Sequence, residues 1–330
     1  MREVEIIDGE VDVEALVANQ QPVLLKKYIA NWPVVEAARI SDGKVMDYLS
    51  SFANEHPVVV YELEPESEGR FFYTEDFKDL NFKSSRKPLV NVIETLKASV
   101  GLALPKTYYV GSTTIDKYLP GFRLENDLAL QMNDPMVSIW LGNQSTVAAH
   151  FDAPNNIACC IAGARTFTLF PPDQIENLYI GPLDKTPSGQ AISLVDFKKP
   201  DFNKFPKFEK ALKQAQTANL EPGDALFLPS MWWHHVESKG SFNGLVNYWW
   251  RDVPSFKGPG VEALKHAMLN IRDLPDVERQ AWRAMFEHYV FSEQANKFDY
   301  MPEDARESLG ALDSIKARRL RAWLLNKLNR

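Results

Sequence analysis

The chain has 330 residues, 45% of them hydrophobic, 25% charged and 12% aromatic, the mix of an ordinary globular protein with enough length for one large domain or two smaller ones. A net charge of -7 and a pI near 5.5 argue against nucleic acid as the main partner, because neutralising phosphates takes a basic face. The only cysteines are the adjacent Cys159 and Cys160, so no disulfide framework is visible. Met1 to Glu5 lacks the basic-then-apolar pattern of a signal peptide and no apolar run reaches the length of a membrane span; a cytoplasmic protein with no membrane partner is expected.

The first hundred residues mix short elements. Val11 to Val17 and Val45 to Phe52 read as helices, Pro22 to Leu25 and the β-branched run Pro57 to Leu63 as strands. From about Thr107 to Arg251 the chain becomes a series of short strands split by Gly, Pro and Asn, the pattern of a β-sandwich, jelly roll or barrel. Asn156 to Ile161 leads into a turn at Ala162-Gly163, and Arg165 to Phe170 reads as the returning arm of a hairpin, stopped by Pro171-Pro172. Leu183 to Leu220 reads as a patterned insertion. The tight turn Glu221 to Asp224 feeds a strand from Ala225 to Leu228, and Leu245 to Arg251 alternates as a last strand.

After Pro254 the spacing is helical: Val261, Leu264, Met268 and Ile271, then Trp282, Met285, Phe286 and Tyr289, then a last helix with Leu309, Leu312, Ile315, Leu320, Leu324 and Leu328. The basic residues of that helix, among them Lys316, Arg318, Arg319, Arg321, Lys327 and the terminal Arg330, read as a solvated face. Three regions follow: an α/β lead-in packed on the core over 1–106, a β core over 107–255 and a helical element over 256–330. The fold class is mainly β with flanking helices.

The chemistry concentrates in His150-Phe151-Asp152 and the distant His234-His235, which hold half of the six histidines. On an extended segment residues i and i+2 share a side, so His150 and Asp152 can grip one ion while Phe151 points away. With one histidine from another strand they form a facial triad, which leaves positions on an octahedral ion open. An H-x-D tripeptide alone arises often by chance, and parity does not choose between His234 and His235. Arg165 is a cation in an otherwise apolar strand. It is either a surface residue at a hairpin edge or a buried one that must meet an anion, for which its planar fork suits a carboxylate.

The segments HFDAPNN, GARTFTLFPPDQIENLY, VDFKKPDFNKFPKFE, EPGDALFLPSMWWHHVES and VNYWW resemble, in order, the cupin-like JmjC group of Fe(II)- and 2-oxoglutarate-dependent oxygenases, and within it the factor-inhibiting-HIF type of asparaginyl hydroxylase. The resemblance spans roughly Tyr109 to Trp250 and implies a double-stranded β-helix, a jelly roll. It implies Fe(II) on His150, Asp152 and His234, and 2-oxoglutarate held by Arg165, where the factor-inhibiting-HIF type has a lysine. Tyr109, Asn156, Asn247 and Thr146 are the further implied cosubstrate contacts. Thr146 lies one place from the hydroxyl residue of the family pattern, whose register Val147 holds, and Gly111 stands where that type has a substrate-contacting glutamine. No catalytic side chain is implied beyond the metal ligands.

The implied reaction hydroxylates a C–H of a protein or peptide side chain or of a small metabolite, releasing succinate and CO2. The implied assembly is a homodimer through the C-terminal helices. The competing reading is a metal-binding cupin without oxygenase activity, an isomerase or binding module. Arg165 separates the two, since only a carboxylate cosubstrate needs a fixed cation there.

Overall fold

Pro57 to Leu63 forms a strand over the expected residues, and its neighbours show why the lead-in belongs to the core sheet. In the computed structural model, which describes residues 1–130, 135–187, 189–293 and 296–329, the elements begin with β1 (Arg2–Glu3), β2 (Glu5–Ile7), α1 (Val13–Asn19), β3 (Val23–Leu25), α2 (Pro33–Ile40), α3 (Asp42–Phe52) and β4 (Pro57–Leu63). Next come β5 (Arg70–Phe71), β6 (Lys83–Pro88), α4 (Leu89–Ser99), β7 (Thr107–Thr114) and the single turn α5 (Ile115–Tyr118). β8 (Met136–Gly142), β9 (Ser145–Phe151), β10 (Asn155–Phe170), α6 (Phe208–Gln214), β11 (Gln216–Leu220), β12 (Ala225–Leu228) and β13 (Trp233–Trp250) complete the first of two compact units, Met1–Arg251.

Local chemistry sets the helix ends. The Asp12 carboxylate accepts from the Ala15 N–H and starts α1, Ser41 caps α3 through the Lys44 N–H, and Pro33 opens α2, where its missing N–H costs nothing. The sequence reading passed over α2 and α4, whose apolar faces are buried through Val34 and Val35 and through Leu89, Val92, Ile93 and Leu96. Four fully buried aliphatic side chains of this kind contribute about 6–12 kcal/mol for α4 alone.

The thirteen strands of the described residues form one sheet that folds into two facing walls. The first half of β10 and the second half of β13 pair with each other and are flanked by β12 and β8. The second half of β10 and the first half of β13 also pair, flanked by β11 and β9. β7, β4 and β6 extend the first wall beyond β8, while β3 and β2 extend it beyond β12. This is the mainly β jelly roll with flanking helices that the sequence led us to expect.

The expected hairpin across Ala162-Gly163 is not there. β10 is a single strand that bends at a bulge, with pairing to β13 shifting between Cys160, Ala162 and Ala164. Gly163 has φ +70°, and a Cβ there would lie 2.2 Å from Asn243 Oδ1 and 2.5 Å from Phe242 O, so only glycine passes the corner. The bend carries β10 from one wall to the other. Alternate residues then serve different layers: Ile157, Cys159 and Ile161 pack against the helices, while Ala158 and Cys160 join Phe167, Val236 and Leu245 between the walls. The segment read as an insertion supplies α6 and the barrel strand β11, and covers Phe170 and Trp233 with Phe208 and Val195.

The second unit, Asp252–Arg330, holds the three expected helices α7 (Gly260–Asn270), α8 (Asp276–Phe286) and α9 (Ser314–Leu328). Arg330, counted in the basic stretch, lies outside the described residues. Leu309 and Leu312 precede α9 rather than belonging to it. Many apolar side chains of these helices stay exposed, among them Leu264, Trp282, Met285, Leu320 and Trp323.

Candidate metal centre and its cavity

Between the two walls lies a cavity of about 740 Å³. His150 and Asp152 reach it from the end of β9 and His234 from the start of β13, where His234 pairs with His150 across the ladder. The ligand atoms of the three side chains lie within 4.8 Å of one another, and His234 Nε2 is 3.7 Å from Asp152 Oδ2. Among the described residues this is the one such cluster of three or more His, Cys, Asp and Glu.

Each imidazole is oriented by its own strand. His150 Nδ1 is 2.9 Å from Ala148 O and His234 Nδ1 is 3.1 Å from Trp232 O. A carbonyl can only accept, so both Nδ1 atoms carry the proton and both Nε2 lone pairs are left for a metal. Burial and the adjacent His150 hold the His234 pKa down, at about 4, which keeps the ring neutral as a ligand must be.

Strand parity separates the two adjacent histidines. His235 faces away from the cavity, stacks on Phe197 with ring centroids 4.4 Å apart and sits 3.3 Å from Glu237. Phe151 likewise turns outward, against Trp233.

Arg165 lies on the far half of β10, only 3% exposed, and lines the same cavity. No carboxylate pairs with it among the described residues, and its Nε has no partner. Burial lowers its pKa, opposed by the hydrogen-bonded Tyr109 phenol. Tyr109 is itself pushed up to about 12 by burial, so it stays a neutral donor. Asn247 Nδ2 donates to Asn156 Oδ1 at 2.9 Å, which leaves Asn247 Oδ1 unpartnered beside the cavity.

Thr146 is the exception to the expected set. It is buried but does not line the cavity, whereas Val147 does. A bulge opposite His234 and Val236 explains this: it shifts β9 by one residue, so Val147 and His150 share the inner side where simple alternation would have paired Thr146 with His150. The sequence reading also missed walls built from the lead-in. Tyr61, Phe71 and Phe82 line the cavity with Trp140 and Trp249.

Known proteins agree with this geometry. The family profile described as a cupin-like domain matches residues 9–256. The chain belongs to the cupin-like, JmjC-type family. It is 31% identical over 116 residues to Lysine-specific demethylase JMJ31 of Arabidopsis thaliana, covering 35% of this chain and 21% of that protein. It is 30% identical over 125 residues to mouse tRNA wybutosine-synthesizing protein 5, covering 38% of this chain and 34% of that protein. With Lysine-specific demethylase 8 of Xenopus tropicalis it shares 34% identity over 116 residues, 34% of this chain and 25% of that one. The matched stretch therefore spans well under two thirds of these relatives.

JmjC-type cupin oxygenases use Fe(II) and 2-oxoglutarate, and the residues present fit both. Two imidazoles and a carboxylate from one side of the cavity suit an octahedral ion with open positions. The buried guanidinium, with no acidic partner among the described residues, suits a carboxylate of the cosubstrate. No helix among the described residues is long and apolar enough to cross a membrane.

Proposed function

We propose that the protein is a 2-oxoglutarate-dependent oxygenase that hydroxylates a C–H of a protein or peptide side chain or of a small metabolite. The observation that carries this reading is Arg165, a buried cation without an acidic partner among the described residues that opens on the cavity holding the triad. An isomerase or hydrolase would gain nothing from the desolvation of that charge.

His150, Asp152 and His234 would hold the iron, and Arg165 with Tyr109 would hold a carboxylate of 2-oxoglutarate. When bound, iron and 2-oxoglutarate would, with O2 as the oxidant, supply the oxidative chemistry: one oxygen atom of O2 goes to the substrate C–H and the other to the succinate formed as 2-oxoglutarate loses CO2. The chain's own residues orient and shield. The Ala148 and Trp232 carbonyls fix the two imidazoles, and Trp140, Trp249, Phe71 and Tyr109 wall the reacting space. Asn156 and Asn247 present amide groups to the bound ligands.

Release of succinate from 2-oxoglutarate, dependent on Fe(II) and raised by a mixture of cell peptides and metabolites, tests the assignment. Metal binding with no succinate under any of these conditions would return the protein to the metal-binding cupins without oxygenase activity.

The same reading includes a homodimer through α7 to α9, supported by the exposed Leu320, Trp323 and Trp282. Light scattering checks it. A monomer at micromolar concentration, unaltered by Leu320→Glu with Leu324→Glu, sinks it.

A further inference from the structure

The β9–β13 ladder holds two of the triad residues but not the third. That ladder ends at the rung of Phe151 with Trp233, one step past the pairing of His150 with His234. Asp152 lies beyond it, in the link 152–154 between β9 and β10. A carboxylate on a free link would wander, and a facial triad needs its oxygen at a fixed place relative to the two imidazoles.

The link is fastened by the connection from β12 to β13, residues 229–232. The Met231 N–H donates to Asp152 O at 2.8 Å. Ser230 Oγ donates to Ala153 O at 2.6 Å, and the Ser230 N–H donates to Asn155 Oδ1 at 3.0 Å. Two adjacent residues thus supply every one of these donors, and they stand just before His234. The same connection aims the His234 ring, whose Nδ1 donates to Trp232 O. Asp152 and His234 are therefore both referred to one turn, which brings Asp152 Oδ2 to 3.7 Å from His234 Nε2.

The turn itself is not a relaxed one. The Trp232 N–H donates to Pro229 O at 3.3 Å, and Met231 between them has φ +67°. That is the third place of a β-turn, which at positive φ ordinarily takes glycine or asparagine. A residue with a side chain keeps such a conformation only where the surrounding bonds over-determine it. Asn155 is buried, at 6% exposure, and neither it nor Ser230 lines the cavity. Their influence on the cavity passes through Asp152.

We propose that Ser230 is a positioning residue of the metal centre. With Asn155 as its partner, it clasps the link that carries Asp152 to the turn that carries His234. The triad is thereby set to receive an ion before one arrives. The proposal rests on the triad as the metal ligands and not on which reaction follows.

Titration of Co(II) into the full-length, metal-free protein tests it, because the visible absorption of bound Co(II) reports the geometry of its ligands. Ser230→Ala removes only the hydroxyl; it weakens Co(II) binding by about tenfold and alters the absorption of the bound ion. Asn155→Ala removes the acceptor of the Ser230 N–H and acts in the same direction, and the two together weaken binding by up to about a hundredfold. Ser230→Thr keeps the hydroxyl and binds within about twofold of the wild type, with the wild-type absorption. The melting midpoint of each metal-free variant is read alongside. A bond that merely stabilised the turn would lower the midpoint and leave affinity and absorption as they were. That pattern in Ser230→Ala, or in Asn155→Ala should the first fail to fold, overturns the proposal. So does a loss that Ser230→Thr fails to restore. Asp152→Ala separates the two ideas. If it loses Co(II) while Ser230→Ala binds as the wild type does, the ligands stand and the clasp falls. If it keeps Co(II) as tightly as the wild type, the ligand assignment falls and the clasp with it.

Discussion

Replacing Arg165 by methionine removes a charge while keeping much of its apolar stem, and the structure predicts opposite effects on ligand binding and on the empty protein. Arg165 is 3% exposed and without an acidic partner among the described residues, so a bound carboxylate gains its full charge-assisted bond. Such a bond is worth about 1.5–3 kcal/mol, which at 1.4 kcal/mol per decade raises the 2-oxoglutarate KM by roughly ten- to a hundredfold. The empty protein loses an uncompensated buried charge and keeps or gains stability, so its thermal midpoint does not fall. Added 2-oxoglutarate with Fe(II) raises the midpoint of the wild type and much less that of the variant. Steady-state kinetics and thermal melts read the two sides, with metal content as a control that stays constant. An unchanged KM for 2-oxoglutarate would refute the reasoning.

Asp152→Ala abolishes both metal retention and turnover, read by metal analysis and succinate release. His234→Ala does the same while His235→Ala keeps its metal, because His235 faces Phe197; the reverse pattern would overturn the ligand assignment. Thr146→Val leaves the 2-oxoglutarate KM within about twofold, since Thr146 does not line the cavity. Gly163→Ala lowers stability by about 2–4 kcal/mol in urea unfolding, combining a positive φ with overlap on Phe242 O.

The metal ligands were legible because the i, i+2 spacing of His150 and Asp152 survives at the end of a strand, and the choice of His234 needed only the family resemblance. Arg165 announced itself as a cation in an apolar strand. What stayed hidden has one physical origin: period-two reasoning assumes an unbroken strand. The corner at Gly163 therefore read as a hairpin, and the bulge in β9 shifted Thr146 out of register with His150. A glycine signals a departure from regular geometry without saying whether the chain reverses or bends. The lead-in's share of the cavity was equally unreadable, because Tyr61 reaches the site only through the pairing of β4 with β7, and Phe82 only from its place just before β6.

The cavity has two kinds of support. Arg165, Asn156, His234 and Asn247 all sit on β10 and β13, which are paired along nearly their whole length and each run through both walls. Val59, Tyr61, Ser84 and Gly111 sit on β4, β6 and β7, at the margin of the sheet. A substitution on the long pair is felt by iron, cosubstrate and packing together, whereas one at the margin alters what is admitted and little else. The scaffold is thus modular in its tolerance of change: what the rim admits can alter while the triad and its neighbouring cation stay intact.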